Sequence, residues 1–143
     1  MINIRSENPA DIQTECLVIP LCEDSAIHTD KGVSELLAFA ENIGDFKGRS
    51  EDVLFLYHLP ALSPARLMFV GLGRCENIDA ECLRAAMGKA VKECMRKNLT
   101  DVVFCAPDPE KFSMDADAVL TALLEGAHLS NSLFAHYKKK KKA

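Results

Sequence analysis

The 143-residue sequence is poor in the patterns by which functional sites usually declare themselves. No apolar run reaches the ~18 residues that a membrane helix needs, so no membrane partner is expected. The N-terminus, MINIRSENPADIQ, has no apolar core of the kind a secretory leader carries, so no signal peptide is expected. The six cysteines (Cys16, Cys22, Cys75, Cys82, Cys94 and Cys105) form no C-x-x-C, and no cysteine pair stands beside a spaced histidine pair. That excludes zinc-finger spacing. The four histidines, His28, His58, His128 and His136, form no H-E-x-x-H, and no serine sits in a G-x-S-x-G elbow. No Walker lysine pattern is present. The aspartates are scattered through loops and caps rather than converging as a two-metal centre requires.

What is present points to one well-filled domain. Apolar residues make up 48% of the chain, which argues against disorder. A domain of this length buries roughly 68–70% of its unfolded surface, enough for a self-standing core. Cys16 and Cys105 lie within apolar strand runs, and Cys82 and Cys94 lie on an expected helix. They read as reduced thiols acting as small hydrophobes in a cytoplasmic protein. Net charge is −4, but Lys138–Lys142 supply five of the 17 basic residues. The remainder carries 12 basic residues against 21 acidic ones, a net of −9. An acidic body is a poor surface for phosphate backbones, so nucleic acid is not an expected partner.

The stretch Asp52–Arg74 sets the fold class. Val53–Tyr57 and Leu67–Val70 are apolar at nearly every position rather than at every second one, which suits strands covered on both faces. Sheets covered on both faces belong to α/β domains. Along the chain the sequence predicts strands at Ile2–Arg5 and Glu15–Leu21, and a helix to about Asn42. Asp24 or Ser25 would cap this helix unless it starts after Gly32, and Gly44 would stop it. Strands follow at Asp52–His58 and Arg66–Gly71, with their relative direction open. A helix over Asp79–Asn98 is the best defined. Asp79 is its N-cap, Ile78 and Leu83 form a hydrophobic staple, and its apolar stripe includes Leu83, Met87 and Val91. A last strand, Asp101–Ala106, and a helix from Met114 to Tyr137 complete the order.

Three features admit a functional reading beside a plainer one. Gly71-Leu72-Gly73 ends a strand ahead of a helix, as a phosphate loop would. Yet Glu76 stands where a G-x-G-x-x-G fingerprint needs glycine, and Glu76, Asp79 and Glu81 would repel a pyrophosphate. A tight turn is the plainer reading. His58 ends a strand, where a side chain can reach a site, but it reads equally as a surface histidine. Lys138–Lys142 could form a nucleic-acid or lipid patch, or simply the solvated end of the last helix.

DVLFLYHLP followed by ARLMFVGLGR and a helix opening on an acid resembles the N-terminal domain of the leucyl aminopeptidase (cytosol aminopeptidase) family. Glu125-Gly126-Ala127, Leu129, Phe134, Tyr137 and Lys138 resemble the segment that leads to the family's catalytic part. Leu133 departs from the family's aromatic pattern there. The resemblance runs from Cys16 to Lys142. It implies a three-layer macrodomain-like α/β fold, a mixed and mostly parallel sheet flanked by helices. It also implies that 1–143 is a single non-catalytic N-terminal domain, with 138–143 starting an interdomain linker. The implied partners are a C-terminal catalytic domain and further copies in a hexamer. The implied parent is a metalloaminopeptidase releasing N-terminal residues with two divalent ions, zinc or manganese. The ligands of those ions belong to a catalytic domain bearing the motif NTDAEGRL. Nothing like it occurs here, so no catalytic, cofactor-binding or metal residue is assigned to this chain, and no cofactor is expected in it. The macrodomain likeness raises a ligand-binding module for ADP-ribose or a nucleotide as the alternative.

Overall fold

The structure, a computed structural model, describes residues 9–44, 46–50, 52–57, 59–111 and 114–130. The expected first strand at Ile2–Arg5 and the lysine run lie outside them. Among the described residues four strands form one sheet: β1 (Cys16–Leu21), β2 (Val53–Tyr57), β3 (Arg66–Gly71) and β4 (Val102–Phe104). Their order is β2-β3-β1-β4. β1 pairs in parallel with β3 (Leu17 opposite Leu67) and with β4 (Cys16 opposite Val102). β2 runs antiparallel to β3, which settles the direction that the sequence left open. Among the described residues three α-helices flank the sheet: α1 (Lys31–Glu41), α2 (Ala80–Arg96) and α3 (Ala116–Ser130). Among the described residues no helix is long and apolar enough to cross a membrane.

The continuous apolar runs arise because the sheet is covered on both sides. Leu17, Ile19, Leu67 and Phe69 face α1, where they meet Val33, Leu36 and Ala40. Cys16, Val18, Met68 and Val70 face α2 and α3, where they meet Leu83, Met87, Val91, Val119 and Leu123. All eight strand residues are fully buried. β2 differs from the expectation. It is an edge strand, only partly buried on both faces, because it has a neighbour on one side alone.

The helix ends follow local chemistry. α2 begins where expected: the Asp79 carboxylate accepts from the Cys82 amide at 2.8 Å, and Ile78 and Leu83 are both buried around it. It ends at Arg96 with Lys97 as its C-cap, and the next residue, Asn98, reverses the chain at a φ of 59°. The Leu99 amide reaches the Cys94 carbonyl and the Asn98 amide reaches Met95, each at 2.9 Å, so two otherwise orphaned carbonyls are satisfied. α1 is capped by Asp30, not by Asp24 or Ser25. Its carboxylate takes the Gly32 amide at 2.7 Å, so the helix starts before Gly32. Gly44 is not left-handed; the helix is closed by Asn42 in ordinary helical geometry. At the start of α3 the Asp115 carboxylate receives the Ala118 amide at 2.7 Å.

α2 and α3 pack closely because Gly126 has no side chain. A Cβ there would lie 2.4 Å from the Arg84 carbonyl oxygen. Arg84 and Glu125 form an ion pair at 2.9 Å over the same crossing.

Candidate functional site

The three parallel strands β1, β3 and β4 all end at the same edge of the sheet, the edge at which α/β folds place ligands. A cleft of about 360 Å³ opens there beyond β1. Its wall combines apolar side chains (Leu21, Leu37, Phe46) with polar ones (Glu23, Asp24, His28, Glu41 and Lys47). His28 is 6% exposed, and its Nε2 meets the Pro20 carbonyl at 2.6 Å. Burial lowers its pKa below the usual histidine value, and its ring N–H donates to that carbonyl. Thr29 donates to the Asp108 carboxylate at 2.8 Å, which ties the cleft's loop to the segment after β4.

The glycine turn beside this cleft has no free amide to offer an anion. The Gly71 amide donates to Asp52, the Leu72 amide to Leu21 and the Gly73 amide to Gly48, at 2.8, 2.8 and 3.0 Å. The Cys75 amide, two residues further on, is taken at 2.9 Å by the protein's own Asp24 carboxylate. Gly71 is needed for close approach rather than for a turn, since a Cβ would fall 1.9 Å from the Arg49 carbonyl oxygen. Gly73, at φ +84°, is the left-handed residue. A diphosphate would therefore meet spent donors and the carboxylates of Glu23 and Asp24.

Sequence reasoning missed a cluster of thiols at this edge. Cys22 follows β1, Cys75 follows β3 and Cys82 lies on the first turn of α2, and all three belong to one side of the core. Burial, and then the neighbouring Cys75 thiol, push Cys22 up to about 12. Burial likewise raises Cys82, whose thiol donates to the Leu72 carbonyl at 3.2 Å. No spacing rule could have found the cluster, because parallel topology and not local sequence brings the three together. A second thiol pair, Cys16 and Cys94, is sealed in the core with neither residue exposed. Contact with Cys94, reinforced by burial, pushes Cys16 up. Cys105, just past β4, is pushed up to about 12 by burial.

Among the described residues no group of three or more His, Cys, Asp or Glu side chains could hold a metal ion, so the residues in hand do not fit a divalent centre. His58 and His136 lie outside the described residues.

A family model described as "Cytosol aminopeptidase family, N-terminal domain" matches residues 20–141. A "Probable cytosol aminopeptidase" of Protochlamydia amoebophila is 34% identical over 99 residues, covering 69% of this chain and 19% of that protein. A tomato leucine aminopeptidase mutant superposes with a TM-score of 0.61 at 16% identity, covering 83% of this chain and 25% of the other. The macrodomain of Mycobacterium tuberculosis DarG superposes with a TM-score of 0.68 at 11% identity, covering 90% of this chain and 91% of the other. The two superpositions bear on the fold alone: it is a three-layer α/β fold of macrodomain type. The chain spans less than a third of the length of the curated relatives it matches, 19% of one and 29% of another.

Proposed function

The chain belongs to the cytosol aminopeptidase family as its N-terminal domain, and from that membership we propose that it is a non-catalytic packing domain of a leucyl aminopeptidase. On this reading 1–143 is one domain and 138–143 opens the linker. A C-terminal catalytic domain supplies the two divalent ions, zinc or manganese, and the peptide-cleaving groups. The parent is a cytoplasmic enzyme that releases N-terminal amino acids, and this domain contributes to its hexamer. The observation that carries the reading is the family match across 20–141.

The test is direct. The purified chain, given manganese or zinc, should release no leucine from a leucyl amide, and it should bind a separately made catalytic domain of a family member. Chelator-sensitive hydrolysis by the chain alone would sink the proposal, and so would failure to bind the catalytic domain.

A second reading, an ADP-ribose or nucleotide module, is favoured by the macrodomain likeness over 90% of the chain. The occupied amides of Gly71–Gly73 and Cys75 count against it. Calorimetry with ADP-ribose should give no heat of binding; saturable micromolar binding would put this reading first.

A further inference from the structure

We propose that Cys22 and Cys75 are a thiol–disulfide exchange site, in which a low-molecular-weight disulfide such as oxidised glutathione links the end of β1 to the loop after β3. The loops that carry them are laced together. The Leu72 amide donates to Leu21, the Glu23 amide to Gly73 and the Cys75 amide to the Asp24 carboxylate, at 2.8, 2.9 and 2.9 Å. These bonds bring the residue after β1 and the fourth residue after β3 together from positions far apart in sequence. Both side chains belong to the core on the α2 side of the sheet, and the Cys75 thiol donates to the Lys111 carbonyl at 3.2 Å.

The two cysteines differ in a way that assigns their roles. Cys22 is 7% exposed, whereas Cys75 is only partly buried, so an incoming disulfide meets Cys75 first. The Cys75 thiolate attacks one sulfur of the small disulfide. The sulfur–sulfur bond breaks, one small thiol leaves and Cys75 holds the other half. Cys22 then loses its proton to water and attacks the Cys75 sulfur, expelling the second small thiol. One small disulfide becomes two thiols, and two protein thiols become one disulfide. Cys16 and Cys94 form an internal control, because both are fully buried and should stay reduced while the protein is folded.

The experiment incubates the full chain with oxidised glutathione, blocks the remaining thiols with N-ethylmaleimide and maps the peptides by mass spectrometry. The expected product has lost two hydrogens, links the peptides of Cys22 and Cys75, leaves Cys16 and Cys94 reduced, and melts at a higher temperature until a reductant is added. Cys75→Ser should abolish the link, and Cys82→Ser should leave it in place. Stable glutathione on Cys75 with Cys22 still free, or a Cys75–Cys82 link, would overturn the proposal. The Cys82→Ser variant keeps the test decisive even if Cys75→Ser does not fold.

Discussion

The two faces of the sheet are closed by different means. On one, α2 and α3 lie against β1 and β3 and bury the larger share of the core, with Gly126 letting their backbones nearly touch. On the other, α1 works alone, and Leu37, Phe39, Phe46, Leu54, Leu56 and Leu62 remain only partly buried around it. The contrast separates two ways of removing apolar surface from water. Two helices can share the load if a glycine lets them meet. A single helix needs loop side chains to fill in at its margins, and these retain contact with solvent.

The largest expected effect tests that contrast with one side chain on each face. Leu83→Ala, at a residue with no exposure on α2, should cost about 4 kcal/mol in urea unfolding. Leu36→Ala, at 3% exposure on α1, should cost about 2–3 kcal/mol, because the looser margins can relax into the gap. Equal losses would erase the distinction.

A smaller effect concerns the helix crossing. Gly126→Ala should destabilise by about 2 kcal/mol, since the added carbon meets the backbone of Arg84. Gly44→Ala is the matched control, as a Cβ there meets nothing within 4 Å, and its melting temperature should stay near that of the parent chain.

The smallest effect belongs to neither face. The Glu15 carboxylate receives the Thr100 and Asp101 amides at 2.7 and 2.9 Å, beside the β1–β4 pairing. Those bonds, that to Asp101 foremost, hold its pKa below the ordinary 4.5. A depressed carboxylate stabilises the fold fully above its unfolded value, and that contribution fades as pH falls through the folded one. The parent chain should therefore lose stability below about pH 4.5 more steeply than Glu15→Gln, in unfolding curves taken across that window.

Much of this architecture could be read before any coordinates, where the signal was local. β3 was legible because every residue from Leu67 to Val70 is apolar. α2 was legible because cap, staple and stripe all agree. The start of α1 was not. Asp24 looks like a cap, but its carboxylate is used on the Cys75 amide, 51 positions away, and Asp30 does the capping. The role of Gly71 was hidden for the same reason, since the carbonyl that requires it comes from Arg49 on a separate loop. At the strand-end cleft, the acids near the glycine turn were visible in sequence. The exhaustion of its amides and the meeting of Cys22 with Cys75 depend on how strands are ordered, which no window of neighbouring residues contains.

That ordering has a consequence for how the chain is made. β1 leaves the ribosome before the other three strands, yet it occupies the interior of the sheet, and its two neighbours are Leu67 and its strand-mates on one flank and Val102 onward on the other. The hairpin of β2 and β3 can close from adjacent segments, whereas β1 must wait with one flank bare until β4 has emerged. Nascent chains stalled before residue 102 would thus present an inner strand with one flank bare, open to chaperones, until β4 emerges to cover it.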